Sequence, residues 1–343
     1  MYFTEDFYME QIMHTQPGPV LDEKGRPFPG YSTKSVLTYN RNQIKAPAYR
    51  IKEWDFYQIS NEELCLQFTI GHTSYVGQVS VMLFNFATGE KILYKEKLIP
   101  LPFGKMGMGT NAENDSTLKY DKGGMYMEFI TKDGVRTLKC KCEEVETEIV
   151  LRTTMPHSLV INIPFDEKET QFYYNHKINC MTAEGYVKNG DKEYKFNPAD
   201  SYGILDWGRG VWPFSNEWYW SNGAGKVNGE MFGFNLGCGF GNPSKATENI
   251  IFYKGECHKL GHVTFEMDRN NWMAPWTIRD DAGRLELTLY PTYDRTTTAK
   301  ILWIDNCTHQ MFGEFKGWVV LDDGTKLDIE KVYSFAELAV NNW

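Results

Sequence analysis

Hydrophobic and polar residues alternate along most of this chain. In the segment ELCLQFTI the apolar side chains occupy every second position, at Leu64, Leu66, Phe68 and Ile70. A period of two is typical of a β-strand with one buried face. The same alternation recurs in MYMEFITK and RLELTLY, whereas helical periodicity is confined to the first thirteen residues and to SFAELAVNNW at the end. The pattern therefore predicts an antiparallel, all-β protein with little helix.

Short turn signals separate the predicted strands at hairpin spacing. Glycine, asparagine and aspartate tolerate the backbone angles of tight hairpin turns, so these residues mark the connections. Turns are predicted at Lys132-Asp133-Gly134, Asn189-Gly190-Asp191, Asn228-Gly229, Asp281-Ala282-Gly283 and Asp323-Gly324. Many short strands joined in this way indicate barrels or sandwiches and not a βαβ fold.

The length of 343 residues favours two domains over one. We predict an N-terminal extension over 1–29, a barrel-like domain over 30–200 and a second barrel-like domain over 201–343. The stretch FNPADSYGILDWGRGVWPF is rich in Gly, Pro and Asp, so we expect it not to form one regular strand. Residues 201–225 are then an aromatic crossover segment between the two halves.

Composition and charge narrow the range of partners. Aromatic residues make up 15% of the chain, and aromatic side chains line pockets for apolar ligands as well as filling β cores. The formal net charge is −9, and no cluster of Lys and Arg provides the basic face that nucleic acid requires. No apolar run approaches the ~20 residues that span a bilayer. We expect no nucleic-acid partner and no integral membrane association.

The N-terminus and the cysteines suggest a cytoplasmic protein. The start, MYFTEDFYMEQIM, has no basic region and is predicted to be a short amphipathic helix, not a signal peptide. The seven cysteines are an odd number without a disulfide framework, and none has zinc-ligand spacing. We therefore predict no metal site, no disulfide and no cofactor.

The most informative segment is LDWGRGVWPFSNEWYWSNGAG, residues 205–225. It carries four tryptophans: Trp207, Trp212, Trp218 and Trp220. So much apolar area indicates burial, which would also bury the interleaved Asp206 and Arg209. One interpretation is a structural Asp206–Arg209 pair. The other is a catalytic Asp206, oriented by Arg209, whose carboxyl group acts as acid or base between tryptophan walls that could stabilise a developing cation.

Three further residues are candidates for ligand binding. Asn235 lies on the Gly- and Asn-rich face of FGFNLGCGFG, where either another backbone or a ligand approaches closely. Glu248 follows that strand and could reach the same cavity. His176 shares a strand face with Tyr174, and a structural role for this histidine is the competing interpretation.

Several long motifs resemble a known bacterial family. They include PGPVLDEKGRPFPGY, KEWDFYQI, LDWGRGVWPF, WYWSNGAG, FGFNLGCGFG and FGEFKGWVVLDDG. The chain, from about Gln16 to its end, is similar to the domain of unknown function 2804 family. That family resembles the double-calycin, lipocalin-like proteins, a group with carotenoid hydratases, tocopherol-cyclase-like enzymes and Diels–Alder-type cyclases. The resemblance implies two lipocalin-like barrels and a hydrophobic substrate, and it assigns no catalytic residue.

The leading functional hypothesis is a cofactor-independent hydratase, cyclase or isomerase for a hydrophobic, alkene-bearing isoprenoid or lipid. The alternative is a non-catalytic carrier that holds such a molecule in a calycin-type cavity. A third interpretation makes the aromatic segment an oligomer interface, and the sequence leaves the oligomeric state open.

Overall fold

The computed structural model describes residues 10–73, 75–301 and 304–342. Within these ranges the regular structure is almost entirely β, and the only helical turns are two short 3₁₀ helices, Arg41–Gln43 and Ala48–Arg50. The strands, in chain order, are β1 (Gly18–Pro19), β2 (Gly30–Ser32), β3 (Leu37–Thr38), β4 (Lys52–Ser60), β5 (Leu64–Thr73), β6 (Val76–Asn85), β7 (Lys91–Pro100), β8 (Ser116–Lys122), β9 (Met125–Lys132), β10 (Val135–Cys142), β11 (Val145–Thr153), β12 (Leu159–Pro164), β13 (Phe172–Asn189), β14 (Lys192–Phe196), β15 (Tyr202–Val211), β16 (Ser215–Val227), β17 (Glu230–Cys238), β18 (Ile250–Tyr253), β19 (Glu256–Lys259), β20 (Val263–Glu266), β21 (Trp276–Asp280), β22 (Leu285–Ile301), β23 (Ile304–Val320) and β24 (Lys326–Asn342).

The strands form two large antiparallel sheets. The first sheet has the order β7-β6-β5-β4-β15-β13-β11-β10-β9-β8, with β2, β12 and β14 attached around β13. The second has the order β19-β18-β17-β16-β24-β23-β22-β21-β20. Each sheet curls into a half-barrel, so the prediction of two calycin-like antiparallel halves with little helix is confirmed. No helix in the described ranges is long and apolar enough to cross a membrane.

The predicted turns are confirmed at all five positions. Asp133-Gly134 joins β9 to β10, with Lys132 opposite Val135 in the register. The other four turns connect β13 to β14, β16 to β17, β21 to β22 and β23 to β24. At Asp133 and Gly134 the φ angles are 51° and 75°, which is the left-handed region that hairpin turns require.

Two predictions about local structure have to be corrected, the first of them only in part: FNPADSYGILDWGRGVWPF is not one strand over its whole length, but most of it is regular. Residues 202–211 form one continuous strand, β15, whose ten residues are all buried. Its glycines do not break the strand, because Gly208 and Gly210 make room for Trp54 and for the Phe172 backbone on the neighbouring strands. The second error is the C-terminal helix, since the described part of SFAELAVNNW lies in β24, between β16 and β23.

The strand pairing also bears on the predicted division of the chain. β15 pairs with β13 and β4, so it belongs to the first sheet, and the chain enters the second sheet only at Ser215. The division at residue 201 itself stays a prediction. The predicted N-terminal helix lies largely in residues 1–9, outside the described residues, and residues 10–13 are not helical.

Three hydrophobic cores follow from this arrangement. One lies within the first sheet, around residues such as Phe68 and Trp207, and a second within the other sheet, around Trp276 and Phe315. The third core takes residues from both sheets, including Trp212 of the first half and Trp220 of the second. The two half-barrels are therefore joined by a packed interior and not by a flexible linker.

A β-bulge in the central strand β13 ties the two sheets together. The pairing of β13 with β15 shifts between Ile178 and Met181, and Cys180 has a φ of 58°. The bulge turns the Asn179 side chain toward the second sheet. There its amide nitrogen donates to Asn222 Oδ1 at 2.7 Å and to the Phe234 carbonyl oxygen at 3.0 Å.

Candidate functional site

A cavity of about 270 Å³ lies between the two sheets. Its walls are aromatic, and charged side chains reach it from both sheets. It is lined by Trp54, Phe56, Thr69, Thr73, Gln78, Tyr173, Lys177, Asp206, Trp212, Trp218, Trp220, Phe240, Glu248, Thr308, Gln310 and Glu337. Such a combination of apolar walls and a few converging polar groups is typical of a small-molecule site.

The cavity is built from two rows of side chains that face each other. In the first sheet, the antiparallel register places Lys177 opposite Asp206, and Asp206 opposite Phe56. In the second sheet, the register places Glu337 between Gln310 and Trp220. Strand pairing therefore brings together residues that are more than a hundred positions apart in the chain.

The two rows meet at Lys177. Its Nζ lies 3.1 Å from Asp206 Oδ1 and 3.4 Å from Glu248 Oε2, and 4.2 Å from the ring centre of Trp220. The lysine is almost fully buried. A buried ammonium needs such compensation, and two carboxyl groups with an aromatic face provide it.

Asp206 is held as a hydrogen-bond acceptor. Its Oδ2 accepts from Trp54 Nε1 at 2.9 Å, and its Oδ1 accepts from Asn175 Nδ2 and from Lys177. All three donors come from the first sheet. The carboxyl group is therefore fixed in position before any ligand arrives.

Of the three carboxyl groups that line the cavity in the described part of the chain, Glu337 is the one without a cation at hydrogen-bond distance. Its two oxygens accept from Trp218 Nε1 and Gln310 Nε2, both at 2.9 Å. Burial raises the pKa of Glu337 to about 7, and the negative charge of Asp206 adds to this effect. Burial also raises the pKa of Glu248, against the opposing effect of Lys177. At neutral pH the site thus holds a carboxyl group that is close to half protonated.

Of the four tryptophans predicted to form the wall, three line the cavity: Trp212, Trp218 and Trp220. Trp207 lies on the opposite face of β15 and packs into the first core. The prediction for Trp207 is therefore wrong, because successive residues of a strand point to opposite faces.

Arg209 also points away from the cavity. Its guanidinium group lies over the Trp207 ring at 3.7 Å and pairs with Asp55 Oδ1 at 2.9 Å. Asp206 and Arg209 are three positions apart in one strand, so their side chains leave β15 on opposite sides. Neither the structural Asp206–Arg209 pair nor an orienting role of Arg209 on Asp206 agrees with this geometry.

His176 is the neighbour of a cavity residue and not one itself. It shares the face of Tyr174, as predicted, but that face is directed to the first core, where His176 Nε2 lies 2.8 Å from Ser158 Oγ. Burial, together with Arg136, lowers the pKa of His176 to about 3, so its imidazole is neutral at pH 7.

Asn235 and Glu248 meet behind the second row. Asn235 is fully buried, donates to the Glu248 backbone oxygen at 2.6 Å, and accepts from Trp220 Nε1 at 2.8 Å. Glu248 itself lines the cavity. It fits there because Gly237 has no side chain, since a Cβ at Gly237 would lie 2.4 Å from Glu248 Oε1. The face of β17 that carries glycines and Asn235 is therefore covered by other side chains of the protein.

The sequence analysis missed most of the cavity residues of the first sheet and the glutamate that the second sheet contributes. The overlooked residues include Trp54, Tyr173, Lys177, Gln310 and Glu337. A signal existed for Lys177, since a lysine in the apolar run FYYNHKINC has to be compensated when it is buried. No group of three His, Cys, Asp or Glu side chains in the described part of the chain is arranged to hold a metal ion.

Gly208→Ala should damage the cavity wall. Gly208 lies opposite Trp54, and a Cβ there would lie 2.0 Å from Trp54 Cζ2. The indole must then move, which breaks its bond to Asp206, and we expect a loss of about 1–3 kcal/mol in the free energy of unfolding. Denaturant unfolding measures the loss of stability. Displacement of a bound fluorescent polyene fatty acid measures the effect on ligand binding in the cavity.

Gly225→Ala is the matched control for this prediction. It is also a buried strand glycine, but the nearest atom to its added Cβ is Val332 Cγ2 at an ordinary 3.5 Å. Equal effects of the two substitutions on stability and probe binding would contradict the close approach at Gly208.

Fold and cavity together define an all-β protein of two half-barrels with an aromatic, acid-lined cavity between them. The chain belongs to the family described as Domain of unknown function (DUF2804), which matches residues 11–343. A search of curated proteins finds no match to this chain.

Solved structures share the fold. A candidate AttH protein from Nitrosomonas europaea is 13% identical with a TM-score of 0.55, covering 85% of this chain and 92% of that chain. Kievitone hydratase from Nectria haematococca is 11% identical with a TM-score of 0.53, covering 88% and 93%. CghA bound to Sch210972 is 10% identical with a TM-score of 0.56, covering 94% and 96%. Such low identities show the common architecture alone.

Proposed function

We propose that the chain is a cofactor-independent enzyme that protonates an alkene in a hydrophobic isoprenoid or lipid bound between the sheets. The observation that carries the proposal is Glu337, a buried carboxyl group in an aromatic cavity whose pKa is raised to about 7. General acids work best when their pKa lies near the working pH. A carrier needs the apolar walls but has no use for a proton donor within them.

In the proposed reaction Glu337 transfers its proton to one alkene carbon, and the π electrons form the new C–H bond. Positive charge then develops on the other carbon. Trp220 and the carboxylate of Asp206 stabilise that charge, since aromatic faces and carboxylates both attract cations. Water, a second alkene or loss of a neighbouring proton completes hydration, cyclisation or isomerisation respectively. Asp206 or Glu248 is the proposed base for that last step.

The neighbours in fold are consistent with this proposal. Kievitone hydratase bears the name of a hydratase, and CghA holds the small molecule Sch210972. A hydratase and a protein that holds a small molecule thus share this fold, and the residues proposed to act here are argued from this chain alone.

Deuterium incorporation tests the proposal without a known product. The protein is incubated in D₂O with a panel of unsaturated isoprenoids and fatty acids, and the recovered compounds are analysed by mass spectrometry. A proton donor in exchange with solvent transfers deuterium to carbon, so we expect a mass increase in at least one compound with the wild type and not with Glu337→Gln. Compounds that are bound and recovered without deuterium would favour the carrier.

A further inference from the structure

The charges around the cavity do not balance. Among the described residues, three carboxyl groups, those of Asp206, Glu248 and Glu337, line it together with one ammonium group, that of Lys177. With all four groups ionised, the lining carries two negative charges in excess. Excess charge away from water is costly unless it is neutralised by protons or by a ligand of opposite sign.

Three indole donors of the wall are already in use. The indole nitrogens of Trp54, Trp218 and Trp220 donate to Asp206, Glu337 and Asn235 respectively. These three indole N–H groups are therefore not available to an anionic ligand.

Asn175 gives an independent indication that an acceptor atom at this site is unused. It is fully buried and lies on the face of β13 that also carries Tyr173 and Lys177 of the cavity wall. Its Nδ2 donates to Asp206, but its Oδ1 has no hydrogen-bond partner among the residues that the structure describes. The opposite amide orientation would place Oδ1 against the carboxylate, so the unused atom is an acceptor. The position next to Asp206 therefore lacks a hydrogen-bond donor and not an acceptor.

The aromatic wall already holds one cation of the protein itself. Lys177 Nζ lies 4.2 Å from the Trp220 ring centre. Attraction between a cation and an indole face is strongest where water is excluded. Aromatic rings combined with carboxylates are also the means by which proteins recognise substituted ammonium groups.

We infer that the substrate of this cavity is a hydrophobic amine, whose ammonium group is held between the aromatic walls and the carboxyl groups of Asp206, Glu248 and Glu337. The inference rests on the proposed function for the cavity and adds the charge of the substrate to it. The apolar part of the molecule occupies the aromatic wall formed by Trp54, Tyr173 and Phe240.

Three probes of similar shape test the inference: phenyltrimethylammonium, its neutral carbon isostere tert-butylbenzene, and the anion benzoate. Each is titrated against a bound fluorescent polyene, and the dissociation constants are compared. We expect the cation to bind at least about tenfold more tightly than the neutral isostere, the equivalent of 1.4 kcal/mol, and benzoate to bind most weakly.

Two variants show whether the preference arises in this cavity. Glu337→Gln removes one of the three carboxylates, so the ratio of neutral to cation dissociation constants should fall at least about threefold. Glu146→Gln changes an exposed glutamate in β11 and should leave the ratio unchanged.

The outcomes separate this inference from the proposed function. If tert-butylbenzene binds as tightly as the cation, the amine inference fails while the apolar cavity and its proposed chemistry stand. If the preference for the cation persists unchanged in Glu337→Gln, the assignment of the charge to this site fails. If none of the three probes displaces the polyene, the inference and the cavity proposal fail together.

Discussion

Replacing Asp206 with asparagine should lower the melting temperature by about 5–10 °C. The substitution removes the closer carboxylate from the buried Lys177, which is left with Glu248 at 3.4 Å. Breaking a buried ion pair from one side costs about 3–5 kcal/mol, because a charge remains without compensation. In a chain of this size each kcal/mol corresponds to roughly 2 °C. Differential scanning fluorimetry measures the shift.

Asp191→Asn is the control for this melt. Asp191 is exposed in the hairpin turn between β13 and β14, where a change of charge should alter stability by less than about 0.5 kcal/mol. A double variant with Lys177→Met should recover part of the stability lost in Asp206→Asn, since it removes the uncompensated charge. An unchanged melting temperature for Asp206→Asn would show that the Lys177 pair contributes little to stability.

Glu337→Gln should abolish the proposed proton transfer and leave the fold intact. Glutamine retains an oxygen that can accept from Trp218 Nε1, but it has no proton to give. General acid catalysis contributes about 10²–10⁴-fold, so deuterium incorporation should fall by a factor in that range. Wild-type activity should decline as the pH rises through about 7, where Glu337 loses its proton. Activity that is constant from pH 6 to 9 would exclude Glu337 as the donor.

The free energy of unfolding should also depend on the ionisation of Glu337, and this can be measured without an activity assay. The pKa of Glu337 rises from 4.5 in the unfolded chain to about 7 in the folded protein. Between pH 4.5 and pH 7 the folded state therefore keeps a proton on Glu337 that the unfolded state has lost. The wild type should therefore lose stability relative to Glu337→Gln as the pH rises from about 4.5 to 7, by on the order of 3 kcal/mol in all. Urea unfolding of both proteins at pH 5 and pH 8 measures the difference.

The fold was accessible from the sequence because its signals are local. The alternation in β5 and the turn at Asp133-Gly134 each involve neighbouring residues, and both are found in the structure. The regular strand at Tyr202–Val211 was missed for the opposite reason. Its glycines are explained by Trp54, a residue that lies some 150 positions earlier and next to Gly208 in the sheet.

The site was only partly accessible, because the assignment of faces depends on partners far away in the chain. His176 and Lys177 are adjacent, and choosing between them amounts to choosing which face of β13 meets the second sheet. The alternation of side chains along the strand does not show which of its two faces that is. Similarly, Glu337 gives no local sign of its role, since its environment arises from strand pairing with Gln310 and Trp220.

The bulge at Asn179 has a consequence for the order in which the chain folds. The partners of its side chain, Asn222 and Phe234, follow it by 43 and 55 residues, so they leave the ribosome well after β13 has been synthesised. Until then the Asn179 amide nitrogen lacks both of these partners, and bringing distant segments together has to overcome the conformational entropy of the intervening chain. We expect the first half-barrel to assemble without a completed interface. Closure of the second sheet over it then forms the binding cavity as one of the last steps of folding.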